Sequence, residues 1–321
     1  MRRRLALAGL VMMIAVSCST NPASRSEVNR ASAPVLSQAQ VDGSPQPLME
    51  KMDAIPDLTQ FDPKAAFPYG GIHYCGPCAV SNSFAWLAGQ GYPNLMARAG
   101  EPPAVCQVNL ANELASRRYL DTSLDMGTTP ADLLAGVSQY IQDRGYSYRR
   151  LEYQGWRNHP GKFSTGVETP DLNWVKTGLY GHSAVWLNIG WYRYEQESNR
   201  YKRLGGHWVT LVGFGVGENG QPDPNVLVIH DPGVKDHPAQ YRNDYIRVVR
   251  IASGTLVESG VKTTGAAGFY KLFGGNLPKE EGNACGIMDG AVVLEMRDPG
   301  GQNPAVGIRQ SQSEPVAKPA S

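Results

Sequence analysis

Cys75 opens the run Cys75-Gly76-Pro77-Cys78, and Val80, Phe84 and Leu87 follow at helical spacing. Gly76-Pro77 suits the first turn of a helix, and Gly91-Tyr92-Pro93 ends the pattern. The spacing therefore predicts Cys75 at the N-terminus of a buried helix. Such a terminus offers partial positive charge and unpaired N–H groups, which lower the pKa of a thiol. The thiolate is the reactive form. A thiol nucleophile also needs a base within hydrogen-bond reach and a third group to orient that base. Of the six histidines, His207 fits best, in Gly205-Gly206-His207-Trp208-Val209-Thr210-Leu211. The two glycines let the chain approach closely, and the strand predicted after them fixes the imidazole on a rigid element. Asp231 closes the next apolar run, Val226-Leu227-Val228-Ile229-His230-Asp231-Pro232. Neighbouring strand ends can bring His207 and Asp231 together, facing Cys75. The chemistry of that set is covalent attack on a carbonyl by Cys75, proton transfer by His207 and orientation by Asp231.

The elements that must hold these residues follow from the same kind of pattern. Thr129 reads as an N-cap with Pro130 at the first helical position, and Leu133, Leu134, Val137, Tyr140 and Ile141 form one apolar face, stopped by Gly145. The later half changes character. Runs 184–192, 208–214, 226–229, 245–251 and 291–296 are short and rich in Val, Ile and aromatic residues, as antiparallel strands are. Helices first and strands later predict an α+β fold with two lobes. The 36 glycines and 23 prolines in 321 residues also favour a strand- and loop-rich chain over a helical bundle. A formal net charge of +1 offers no electrostatic footprint for nucleic acid.

Both ends read differently. Met1-Arg2-Arg3-Arg4 precedes an apolar stretch from Leu5 to Val16, too short for a comfortable membrane span and typical of a secretion signal. Ala15-Val16-Ser17-Cys18 resembles the bacterial lipobox, which implies acylation of Cys18 and attachment to a lipid bilayer. A plain secreted protein cleaved near Ser17 is the alternative. Ser19 after the cysteine points to outer-membrane sorting if the cell is Gram-negative. Residues 19–60 and 297–321 are rich in polar and small residues and are expected to be a flexible tether and a disordered tail. The folded domain is then expected over residues 61–296.

The combination of Cys-Gly-Pro opening a helix, Gly-His-x-Val on a later strand and Asp-Pro ending the next resembles papain-like cysteine peptidases. The closest likeness is to the group that includes the bacteriocin-leader-processing peptidases. The resemblance covers roughly residues 65–235 and extends to GPCAVSNSFAWLAGQGYPNL and GTTPADLLAGVSQYIQDRGY. It implies a papain-like fold with a helical N-terminal and an antiparallel β-sheet C-terminal part, a peptide or protein substrate, no cofactor, and Cys75, His207 and Asp231 as nucleophile, base and orienter. The family places a Gln about six residues before the nucleophile as an oxyanion donor; Tyr69 stands there, with Tyr69 or His73 as possible substitutes.

Rival readings attach to the same residues. Cys75-Gly76-Pro77-Cys78 is also a thioredoxin-type motif for a dithiol oxidoreductase. The stretch 68–74 is a poor strand to precede it, and redox exchange gives His207 and Asp231 no role. A papain-like register could instead make Cys78 the nucleophile with Cys75 in a disulfide. The missing Gln motivates a third reading, a binding module that keeps the fold without catalysis. With Cys75 free, Cys78 and Cys106 are the expected disulfide pair, leaving Cys285. One C-x-x-C pair does not close a zinc tetrahedron. His73, His159, His182, His230 and His237 are expected to be structural or superficial, Trp186, Trp191 and Tyr194 to pack in the sheet or line a cleft, and Asp125 and Asp132 to serve a turn and a helix terminus.

Overall fold

In the first helix, α1 (Cys75–Gly89), Cys75 to Ala85 and Leu87 are all buried. A helix apolar on nearly every side belongs inside a fold, not on its surface. The computed structural model describes residues 44–96, 100–234, 242–258, 262–277 and 284–299. Two further helices pack beside α1: α2 (Pro103–Ala115) and α3 (Pro130–Asp143). Thr129 caps α3 as expected, its hydroxyl oxygen accepting from the Asp132 N–H at 3.2 Å and its proton going to the Asp132 carboxylate at 2.5 Å. α2 is a helix that the sequence analysis does not predict. Pro103 is in fact the first helical residue, and Cys106, Leu110 and Leu114 form the buried face.

Strands β1 (Tyr148–Gly155), β2 (Ser183–Glu195), β3 (Arg200–Val216), β4 (Pro222–His230), β5 (Asp244–Arg250), β6 (Thr255–Glu258), β7 (Lys262–Gly265), β8 (Tyr270–Phe273) and β9 (Ala284–Met296) form one sheet, with the short helix α4 (Leu172–Thr177) between β1 and β2. The five runs read as strands all lie within β2, β3, β4, β5 or β9 to within a residue. Pairing is cyclic: β2 with β3, β3 with β4, β4 with β5, β5 with β8, β8 with β9, and β9 back to β2. The result is a closed six-stranded antiparallel barrel. β1 extends it beside β9, and β6 and β7 extend it beside β3.

Alternation along the strands divides the core in two. Val185, Leu187, Ile189, Val209, Leu211, Leu227, Ile229, Ile246, Leu272 and Val293 fill the barrel. Ala184, Trp186, Trp208, Val292 and Leu294 point the other way and meet Val80, Phe84, Leu110, Leu133 and Tyr140 of the helices. The class is thus α+β, a helical layer on one face of a barrel. Within β9 the fully buried Asp289 accepts hydrogen bonds from Trp156 Nε1 at 2.9 Å, the Tyr192 hydroxyl, and Arg203 Nε at 2.7 Å.

Two expectations are corrected. The tether does not run to residue 60. Leu48 exchanges backbone hydrogen bonds with Phe214, and Leu48, Met52, Ile55 and Leu58 are buried. Those apolar residues, at spacings of three or four in an otherwise polar stretch, are what the composition-based reading passed over. Lys51, only 2% exposed, sends its ammonium to the carbonyls of Leu179, Gly181 and Ser183 at 2.5, 2.8 and 2.9 Å and over the Trp86 ring. Nor do Cys78 and Cys106 pair: neither forms a disulfide, and nor does Cys75. Cys78 packs with Leu58, Phe67 and Ala111, whereas Cys106 belongs to the separate helical core and turns its thiol to the Glu101 carbonyl. The signal segment with Cys18, the tether up to residue 43, and the tail from residue 300 lie outside the described residues. No helix among the described residues is long and apolar enough to cross a membrane.

Candidate active site

Two hydrogen bonds lock the start of α1 onto the sheet, and a third holds the residue just before the α3 cap. The Ala79 carbonyl accepts from Trp186 Nε1 at 3.0 Å and from the Thr210 hydroxyl at 2.9 Å, while Trp208 Nε1 donates to the Thr128 carbonyl at 2.8 Å. Thr210 belongs to the same strand as His207, so its bond fixes the Cys75 helix against the histidine strand, while Trp208 on that strand holds Thr128, whose side chain lies against Gly76. Thr210 pairs with His230 across β3 and β4. Continuing that antiparallel register brings His207 beside the turn Asp231-Pro232-Gly233.

His207 Nε2 lies 2.6 Å from Asp231 Oδ1, with both side chains nearly sequestered from solvent. That bond commits Nε2, and the Cys75 thiol lies beside the same ring, close enough that each group shifts the other's pKa. The Gly233 N–H also donates to Asp231 Oδ1, at 2.7 Å. A side chain at Gly233 would stand 3.0 Å from that oxygen and 3.1 Å from the imidazole, so the bare backbone forms a lid over the pair. Trp191 covers His207 from another side, the rings stacked with centroids 5.7 Å apart.

The electrostatics follow from this packing. Burial alone would push the Cys75 pKa up, but the hydrogen bond and charge of His207 and the N–H groups of Trp208 and Gly76 outweigh it, and the thiol is held below its ordinary value. Burial would lower the His207 pKa; the Asp231 charge and hydrogen bond, helped by Cys75, raise it to about 10. Asp231, opposed by burial, is held below the usual carboxylate range by His207 and the Gly233 N–H. Each of the three groups thus favours the charged form of its neighbour. Cys78 is the opposite case. Burial, with nearby Cys75, Asp57 and Asp62, drives its pKa far up, so its sulfur stays protonated.

The remaining candidates separate clearly. Tyr69 is 71% exposed and takes a positive φ of 52°, in a lead-in turn that points it to solvent. His73 is partly exposed in the same lead-in. His230 is buried between Asn243 and the Pro56 carbonyl, His159 bonds to the Arg157 carbonyl, and His182 approaches Asp298. Trp186 is core and Tyr194 stacks on Tyr201. Asp125 is exposed, and His237 lies outside the described residues. Sequence reasoning missed Gly233, whose signal was its place directly after Asp231-Pro232; Trp191, expected to pack in the sheet or line a cleft, lies opposite Gly205 in the β2–β3 register and against His207. Compared with known proteins, the chain matches no family model and no curated sequence.

Proposed function

We propose that the protein is a papain-like thiol hydrolase of peptide bonds, lipid-anchored at the cell envelope through Cys18. The observation that carries the catalytic reading is the His207–Asp231 pair at 2.6 Å with the Cys75 thiol beside the same imidazole. Cys75 would attack the substrate carbonyl, forming a carbon–sulfur bond and a tetrahedral oxyanion. The first-turn N–H groups of α1 supply donors for that oxyanion. His207 Nδ1 gives its proton to the amine as the C–N bond breaks, leaving a thioester. His207 then removes a proton from water, whose oxygen attacks the thioester; collapse releases the acid and restores the Cys75–His207 pair.

Labelling of the full chain with iodoacetamide or an epoxide tests the assignment. Loss of labelling in Cys75→Ala but not Cys78→Ala supports it, and the reverse pattern overturns it. One observation favours a second reading, a non-catalytic binding module: Tyr69, at the position of the usual oxyanion donor, faces solvent. Full envelope function in a Cys75→Ser strain would select that reading. The redox alternative has against it a second thiol, Cys78, that is fully buried and held protonated.

A further inference from the structure

We infer that Thr59 and Gln60, from the segment the composition assigns to a tether, are positioning residues that clip the Asp231 turn to the lead-in of the Cys75 helix. The inference rests on the reading of Cys75, His207 and Asp231 as a reacting set. The Gln60 N–H donates to the Pro232 carbonyl at 2.9 Å. The Thr59 hydroxyl faces the carbonyls of Val234 at 2.6 Å and Pro232 at 3.1 Å. Two adjacent residues thus hold the main chain of the turn immediately after Asp231. From the same place, the Gln60 side-chain amide donates to the Gly71 carbonyl at 2.9 Å. That carbonyl also accepts from the N–H of Tyr74, the residue that caps α1, at 2.9 Å. Gly71 has a positive φ of 80°, and any side chain there would collide with the Gln60 carbonyl oxygen. Gln60 is 4% exposed, so these bonds are shielded from competing water. His207 and Cys75 come from elements distant in sequence. α1 is tied to β3 by Thr210 and to β2 by Trp186, while the Asp231 turn and the α1 lead-in meet through Gln60. Loosening the clip lets Asp231 drift from His207, which in turn weakens the hold of His207 on the thiolate.

The test reads the thiolate, not stability. Iodoacetamide alkylation of Cys75 in the full-length protein, located by peptide mapping, is followed against pH in the wild type, Thr59→Val, Thr59→Ser and Gln60→Ala. Thr59→Val and Gln60→Ala are expected to shift the alkylation profile to higher pH and to slow the reaction near pH 6 by about tenfold or more, since small misplacements of reacting groups carry such costs. Thr59→Ser keeps the hydroxyl and is expected to restore the wild-type profile. Leu114→Ala, a cavity in the α2 core, serves as a control that lowers the melting temperature without moving the profile. Wild-type profiles in both Thr59→Val and Gln60→Ala would overturn the clip and leave the hydrolase reading intact. So would a shift that Thr59→Ser fails to restore or that Leu114→Ala reproduces, because it would then reflect general loosening. A wild type whose Cys75 alkylates like an ordinary thiol would overturn the hydrolase reading itself.

Discussion

Asp231 Oδ1 accepts at once from His207 Nε2 at 2.6 Å and from the N–H of Gly233, two residues further along its own turn, at 2.7 Å. One oxygen is thereby fixed by both the base it orients and the backbone that carries it. Removing the charge while keeping the shape tests what the pair contributes. Asp231→Asn is expected to let the His207 pKa fall from about 10 toward its ordinary value, and to slow Cys75 alkylation at neutral pH. Positioned proton-transfer groups contribute about a hundred- to ten-thousandfold to catalysis, and a loss in that range is expected for peptide turnover in the same variant. Titration of the His207 ring by NMR checks the first part directly.

The pH dependence has a definite direction. The Cys75 pKa is depressed, so the thiolate is present above the lowered value and is lost only as pH falls through it. Wild-type alkylation is therefore expected to persist well below pH 9.0, the ordinary value for the thiol. His207→Ala leaves burial unopposed by the imidazolium, so its alkylation is expected to require more alkaline pH than an exposed cysteine does. A rate–pH profile for each protein decides the matter.

Lys51 offers an independent stability test. Burial pushes its pKa down to about 7, against the three carbonyls and the Trp86 face that favour the ammonium. A folded pKa below the unfolded value of 10.5 means stability is highest above 10.5 and is lost as pH falls toward 7. Lys51→Met is expected to flatten that part of the wild-type curve. At pH 7 it leaves three carbonyls without a donor, at a cost of about 1–3 kcal/mol for each group that water cannot reach. Denaturant unfolding of both proteins across this pH range provides the comparison.

Asp289 carries a larger penalty. Asp289→Ala would leave the largely buried Arg203 with only Glu258, at 3.9 Å, and would take the acceptor from Trp156 and Tyr192; losing one partner of a buried ion pair costs about 3–5 kcal/mol. Asp289→Asn keeps an acceptor and is expected to cost less. Urea midpoints for the two variants test the ranking.

The parts of this molecule that were legible in the sequence have strong local signatures. Cys75-Gly76-Pro77 marks a helix start by proline's tolerance there, Thr129-Pro130 marks another, and the Val- and Ile-rich runs mark the barrel strands. Cys75 is the first residue of α1 and Asp231 directly follows β4, as their local patterns indicate, whereas His207, read as the lead-in to a strand, lies in the middle of β3 because that strand starts seven residues earlier at Arg200. What was not legible depended on contacts distant in sequence. Barrel closure depends on β8 meeting β9, which no local pattern announces. Gln60 looks like any polar residue until Pro232 and Gly71 are beside it. The expected Cys78–Cys106 bond failed because the two residues face separate packing clusters, and spacing alone carries no information about facing.

The docked segment also has a mechanical consequence. Leu48 is held to Phe214 by a reciprocal pair of backbone bonds, and Lys51 is held by three carbonyls between Leu179 and Ser183. A pull arriving along the chain from the side of residue 44 is borne first at these two points, on the barrel. Thr59 and Gln60, further along, feel it only after both have given way. The segment therefore works as a strain relief, keeping a load applied ahead of residue 44 away from the geometry of the thiol.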